Sequence, residues 1–203
     1  MSNKIGIINY GIAGNIHSVK KAIEMAGGQV VIVKSPQEFD LVDKIVIPGV
    51  GSFKEGMQEL KNDGLIEPLC NYKKPLLGIC LGMQILSNVG YEFGKSKGLG
   101  LLSAEVKPIL CDGKIPHMGF NKIRAVKASM LLAGIEEDEE FYFMHSYEMV
   151  NYTDVDALST YHNHSFVSVV NRKNIYGVQF HPEKSRDAGI KLFQNFINIE
   201  NKQ

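Results

Sequence analysis

The chain has 203 residues, with 22 Lys plus Arg against 22 Asp plus Glu and no net formal charge. That balance argues against an overall electrostatic footprint for nucleic acid or an anionic membrane, and no apolar stretch reaches the length of a membrane span. A chain of this length buries roughly 70% of its unfolded surface, and 44% hydrophobic with 22% charged residues is ordinary globular composition. Cys70, Cys80 and Cys111 form no CxxC pair and leave one thiol over from any disulfide, so the expectation is a single domain over 1–203, cytoplasmic, with reduced thiols.

The first half alternates strands with helices. Ile5–Asn9 is a short apolar strand leading into the loop Asn9-Tyr10-Gly11-Ile12-Ala13-Gly14-Asn15. Ile16, Val19, Ala22, Ile23 and Ala26 then repeat at helical spacing until Gly27-Gly28 stops the helix. Gln29–Val33 predicts a second strand, Ser35-Pro36 a helix start with Pro at its first position, and Lys44–Pro48 a third strand closed by Pro48-Gly49-Val50-Gly51. Helical segments follow around Lys54–Lys61 and Leu65–Tyr72. A strand over Pro75–Ile79 runs directly into a helix from Leu81 to about Asn88. This order predicts a parallel sheet with helices on both faces.

The second half is richer in strands, with candidates at Ala104–Leu110, Lys122–Ala125, Glu140–Met144, Asp156–Tyr161, Phe166–Asn171 and Ile175–Gln179. A last helix runs from about Arg186 to Ile199, with Leu192, Phe193, Phe196 and Ile197 on its apolar face. His162 and His164 fall in a polar, solvated loop. No repeat or linker divides the chain, and the expected fold class is α/β, an open mixed and largely parallel sheet.

The sharpest local feature is Gly78-Ile79-Cys80-Leu81-Gly82-Met83-Gln84. It places Cys80 on a tight turn between a buried strand and a helix, with glycines two before and two after. A helix N-terminus stabilises a thiolate, and the Leu81 N–H points where an oxyanion would form. A thiol nucleophile needs a base, and the base an orienter. Gly177-Val178-Gln179-Phe180-His181-Pro182-Glu183-Lys184-Ser185 offers His181 and Glu183 for these roles. Read alone, Cys80 also fits a buried structural cysteine, and His-Pro-Glu a surface turn. No His/Cys/Asp/Glu cluster has metal-ligand spacing, so no metal site is expected.

Taken together with Pro48-Gly49-Val50-Gly51-Ser52-Phe53, Asn9-Tyr10-Gly11, Gly14-Asn15, Pro116-His117-Met118-Gly119-Phe120-Asn121 and Phe141-Tyr142-Phe143-Met144-His145-Ser146-Tyr147, these stretches carry a family resemblance. The chain resembles the class I (triad-type) glutamine amidotransferases, with a flavodoxin-like core, and within them the glutaminase subunits of imidazole glycerol phosphate synthase. The resemblance runs from Ile5 to the final helix. It implies a catalytic triad of Cys80, His181 and Glu183, no cofactor, and glutamine as substrate. It also implies an oxyanion hole from Val50, Gly51 and Leu81, and substrate contacts from Gln84, Glu92, Ser146 and Tyr147. Asn15, Phe120 and Lys184 match family positions that gate or contact a partner. The implied partner is a (β/α)8 cyclase subunit in a heterodimer, because free ammonia is mostly protonated in neutral water and must pass directly to an acceptor. No second barrel fits in the 203 residues.

One departure stands out: Phe120 occupies a position where the family usually has Trp, which loses an indole N–H donor. The same glutaminase serving a surface-sugar amidination synthase is therefore an alternative reading. A non-catalytic glutamine-sensing module is a remoter one, since Cys80, His181 and Glu183 are all present.

Overall fold

A computed structural model describes residues 3–11, 15–150 and 153–201. Ile12, Ala13 and Gly14 of the expected first loop lie outside the described residues. In chain order the elements are β1 (Lys4–Ile8), α1 (Ile16–Met25), β2 (Gln29–Val33), a 3-10 turn (Pro36–Leu41), β3 (Lys44–Ile47), α2 (Phe53–Asn62), α3 (Ile66–Asn71), β4 (Leu76–Ile79) and α4 (Leu81–Ile85). There follow β5 (Val89–Gly90), β6 (Ser96–Lys97), β7 (Glu105–Pro108), β8 (His117–Lys122), β9 (Arg124–Ala125), β10 (Glu140–His145) and β11 (Tyr147–Val150). The chain finishes with β12 (Val155–Tyr161), β13 (His164–Arg172), β14 (Ile175–Val178), a 3-10 turn (Pro182–Lys184) and α5 (Arg186–Asn198).

The main sheet has eight strands in the order β2-β1-β3-β4-β14-β13-β12-β9. From β2 to β14 every pairing is parallel, and from β14 outward every pairing is antiparallel. Alternation along the parallel strands divides the core into two layers. Ile5 and Ile7 of β1 and Leu77 and Ile79 of β4 pack with Val19 and Ile23 of α1 and Leu192, Phe193 and Phe196 of α5. Ile8 of β1, Ile45 and Ile47 of β3 and Leu76 of β4 face the other way, onto Phe53 and Leu60 of α2, Leu69 of α3 and Met83 and Ile85 of α4. Helices therefore cover both faces, and loops at the carboxyl ends of the parallel strands gather at one rim, where open α/β sheets present their sites.

Two small sheets stand over that rim. β8 pairs antiparallel with β10, with Phe120 opposite Tyr142 and His117 opposite His145. The other sheet has the order β11-β7-β5-β6. Its two-residue strands β5 and β6 carry no periodicity, which is why sequence pattern passes them over. The expected strand Lys122–Ala125 is corrected: β8 ends at Lys122, and β9 joins a different sheet after a break at Ile123. The helix expected from Leu81 to about Asn88 stops at Ile85, where the 86–88 backbone turns to bond residues 98–104. The polar-loop reading of His164 is also corrected. Only His162 and Asn163 form the turn, both with positive φ (44° and 61°), the geometry of a tight hairpin. His164 begins β13 with its Nε2 2.6 Å from the Glu148 carboxylate. Among the described residues no helix is long and apolar enough to cross a membrane.

Candidate active site

Cys80 leaves β4 with φ 52° and ψ −108°, a conformation a non-glycine residue holds only under constraint. The constraint is close packing. A Cβ on Gly78 would lie 2.6 Å from the Gly82 backbone, and one on Gly82 would lie 1.9 Å from the Ile47 carbonyl oxygen of β3. The flanking glycines thus allow α4 to press onto β3 and β4, and the strain falls on the cysteine itself. The Cys80 N–H donates to the Val178 carbonyl of β14 at 2.8 Å, which ties the turn to the neighbouring strand.

His181 follows β14, and its N–H donates to the Tyr142 carbonyl of β10 at 2.8 Å. The Ser185 hydroxyl donates to the His181 carbonyl at 2.6 Å and accepts from the Tyr142 N–H at 3.0 Å, so the turn is fixed on two sides. The His181 Nδ1 and a Glu183 oxygen are 2.8 Å apart, with both side chains fully buried. That contact fixes Nδ1–H as donor and turns Nε2, which has no well-aligned hydrogen-bond partner among the described residues, away from the carboxylate. Burial opposes protonation of His181. The charge and hydrogen-bonding capacity of Cys80, followed by the Glu183 carboxylate, outweigh it and push the ring up to about 10. The arrangement favours the protonated ring at His181.

A cavity of about 220 Å³ opens in front of the sulfur. Val50, Gly51, Cys80, Leu81, Gln84, Glu92, Ser146 and Tyr147 all line it, together with Pro116, Met144 and His145. Val50 and Gly51 belong to the loop after β3, where the Tyr10 hydroxyl donates to the Pro48 carbonyl at 2.7 Å. A Cβ on Gly49 would meet that hydroxyl oxygen at 2.6 Å, so only glycine lets the loop lie this close. Glu92 accepts from the Phe53 N–H at 2.7 Å, and burial raises its carboxyl above the ordinary range. Ser146 is the joint at which the chain passes from β10 to β11, that is, from one small sheet to the other.

The residues expected at a partner contact lie elsewhere. Asn15 is buried and its side-chain amide donates to the Glu183 oxygen that His181 also contacts, so it touches the His181–Glu183 pair directly. Phe120 is 38% exposed, edge-on to Tyr142, with the Arg186 guanidinium 4.5 Å above its ring. The Lys184 ammonium lies 5.5 Å from the Tyr142 ring centre. Phe120, Tyr142, Lys184 and Arg186 therefore form one aromatic and cationic surface beside the His181 turn.

Sequence reasoning assigned no role to three residues the structure brings to the site. Gln179 is fully buried behind Cys80. Its polar side chain between Val178 and Phe180, in an otherwise apolar run, was the available signal. His117 and His145 are buried with Nδ1 and Nε2 3.1 Å apart, and the His145 Nδ1–H points at the Tyr147 carbonyl at 2.9 Å. Burial holds His117 down to about 4 and His145 to about 3, so both rings stay neutral. The pair braces the 145–147 corner with neutral donors and acceptors.

A buried thiol at a strained strand–helix turn, beside a buried His–Glu pair on an α/β sheet, is an arrangement suited to nucleophilic attack on a carbonyl. The family model described as glutamine amidotransferase class-I matches residues 7–199. The chain is 43% identical over 201 residues to imidazole glycerol phosphate synthase subunit HisH 1 of Campylobacter jejuni (strain RM1221), covering 96% of this chain and 100% of that protein. It is 45% identical over 196 residues to subunit HisH of Desulfitobacterium hafniense (strain DSM 10664 / DCB-2), covering 95% and 92%. Among solved structures, PurLQS from Thermotoga maritima superposes with a TM-score of 0.74 at 18% identity, over 98% of this chain and 99% of that one, a likeness of fold. The chain belongs to the class I glutamine amidotransferase family and, within it, to the HisH group.

Proposed function

We propose that the chain is the glutaminase subunit of an imidazole glycerol phosphate synthase and supplies ammonia to a cyclase subunit for histidine biosynthesis. The observation that carries this reading is the convergence of Cys80, the His181–Glu183 pair and a polar-rimmed cavity sized for one small amino acid. In this reading the Cys80 sulfur attacks the side-chain carbonyl carbon of glutamine, forming a C–S bond. The oxyanion that develops is met by N–H groups of Leu81 and of the Val50-Gly51 loop. His181 gives its proton to the leaving nitrogen as the C–N bond breaks, so ammonia departs and a γ-glutamyl thioester remains. His181 then takes a proton from water, whose oxygen attacks the thioester and releases glutamate and the thiol. Glu183 holds the His181 tautomer, and Asn15 holds Glu183. Glu92 pairs with the substrate's α-ammonium, Ser146 and Tyr147 hold its α-carboxylate end, and Gln84 completes the pocket.

The surface of Phe120, half-buried Tyr142, Lys184 and Arg186 lies beside the His181 turn and suits docking of the cyclase as a heterodimer. The test is reconstitution. Co-expressed with a histidine-pathway cyclase, the wild-type gene should restore growth of a strain lacking its own HisH, and Cys80→Ala should not. Glutaminase activity without such complementation would reject the histidine-pathway assignment and point to another ammonia acceptor.

A further inference from the structure

Gln179 is fully buried at the end of β14 and does not line the cavity, yet its side chain reaches the reacting atom from behind. Its Nε2 lies 3.6 Å from the Cys80 sulfur. The orientation of this amide follows from its neighbours. Gln84 Nε2 is 3.0 Å from the Tyr147 carbonyl oxygen and 3.0 Å from Gln179 Oε1. A carbonyl only accepts, so Gln84 must present its NH2 group there, and Gln179 must in turn accept with its oxygen. The remaining end of Gln179 is then an N–H donor facing sulfur. A run of amides thus leads from the Tyr147 backbone through Gln84 and Gln179 to Cys80.

The sulfur has His181 on one side, and Gln179 adds a second donor. The sulfur also lies 3.8 Å from the Met144 carbonyl oxygen of β10, an acceptor that can receive an S–H but opposes a thiolate. The helix after Cys80 spans only Leu81–Ile85, too short for a full macrodipole. We propose that Gln179 is a further catalytic residue, donating an N–H to the Cys80 sulfur so that the thiolate is favoured over the thiol before glutamine arrives. Gln84 aims it, so Gln84 serves both the pocket wall and the nucleophile. The inference rests on Cys80 being the nucleophile of the proposed glutaminase, but its test does not depend on turnover.

The test is the pH dependence of iodoacetamide alkylation of Cys80 in the full chain, followed by peptide mass so that Cys70 and Cys111 are counted separately. Gln179→Met removes the donor at similar volume, and Gln179→Glu replaces it with an acceptor while preserving the bond from Gln84. A hydrogen bond to a charged group predicts that alkylation at pH 7 slows by on the order of tenfold in Gln179→Met, and by more in Gln179→Glu. At pH 10 Gln179→Met should approach the wild-type rate, because the thiol then ionises without help. The other titratable groups around the sulfur are His181 and Glu183 after β14, Tyr10 after β1, His145 at the end of β10 and Glu92 across the cavity. All are unchanged in both variants. Equal rates at pH 7 in folded variants would overturn the proposal, and so would a Gln179→Met deficit of the same size at every pH, the mark of a packing role. Should Cys80→Ala retain glutaminase activity, the functional reading fails while this measurement keeps its meaning.

Discussion

Cys80 and His181 emerge from neighbouring parallel strands, β4 and β14, paired from Ile175 to Val178 against Leu76 to Ile79. Ser146 and Glu92 instead sit on connections between and within the two small sheets, and Tyr147 is the first residue of β11. The first flank is fixed by backbone bonds on several sides, and its side chains are buried before any ligand binds. The second flank faces the cavity and takes its shape from the braced 145–147 corner and from the turn that follows β5. Groups that make and break bonds need preorganisation to fractions of an ångström, which a parallel sheet supplies. Groups that recognise a substrate tolerate placement on loops.

If this division holds, substitutions on the two flanks should fail in different ways. Cys80→Ala should abolish glutamine-dependent activity, a loss of about 10³-fold or more, while the complex still uses added ammonium salts. Loss of both activities would contradict separate glutamine and acceptor sites. Glu183→Gln should cost on the order of 10²-fold or more in kcat, because the carboxylate both fixes the His181 tautomer and favours its protonation. Across the cavity, Glu92→Gln should raise KM for glutamine by about tenfold and leave kcat within a few-fold. A fall in kcat as large as that for Glu183→Gln would erase the distinction between the flanks.

The histidines give a subtler contrast, readable from stability alone. His181 is held up to about 10, so the folded chain binds a proton there that the unfolded chain releases above about 6.5. Its contribution is complete below 6.5 and is lost as pH rises toward 10. His117 and His145 are held down to about 4 and about 3, so below 6.5 the unfolded chain gains protons that the folded chain refuses. Stability therefore falls on both sides of neutrality. Thermal melts from pH 4 to 10 should show an acid limb flattened by His117→Asn and an alkaline limb flattened by Cys80→Ala, which removes the charge that raises His181. An alkaline limb unaffected by Cys80→Ala would mean that the sulfur does not hold the imidazolium.

The same division explains what the sequence could reveal. The parallel half was legible because each strand is a short apolar run and each helix a 3.6-residue repeat bounded by Gly, Pro or Ser. Ser35 closes a capping box with Glu38 where Ser35-Pro36 signals a helix start. The small sheets were legible only in part: β7 and β10 were expected at Ala104–Leu110 and Glu140–Met144. β5 and β6 are two residues each, and β11, which begins after the chain changes sheets at Ser146, was not expected. Such a change is set by long-range pairing with β8 and β7, and no local periodicity records it. Gln179 was overlooked for a related reason: a polar residue in an apolar strand announces a buried partner but not which one. The polar-loop reading of His164 failed because the carboxylate it meets, Glu148, lies sixteen residues away on another sheet.

The smallest expected effect concerns Phe120, where the departure from the family pattern lies outside the cavity. Its ring meets Tyr142 edge-on and carries the Arg186 guanidinium, and neither contact reaches Cys80 or the pocket lining. Phe120→Ala removes a stacking partner worth about 0.5–1 kcal/mol at an exposed site, so melting should shift by only a few degrees. Cys80 alkylation in the isolated chain should remain within twofold of wild type, since both flanks of the cavity are intact. Affinity for the cyclase should fall by a larger factor, because an exposed aromatic bordered by cations is the kind of residue that anchors an interface. Titrating the cyclase into both forms separates these outcomes. Unchanged affinity with slowed alkylation would assign Phe120 to the reacting flank, and the boundary between docking surface and chemistry would then run through the Tyr142–His181 backbone bond rather than outside it.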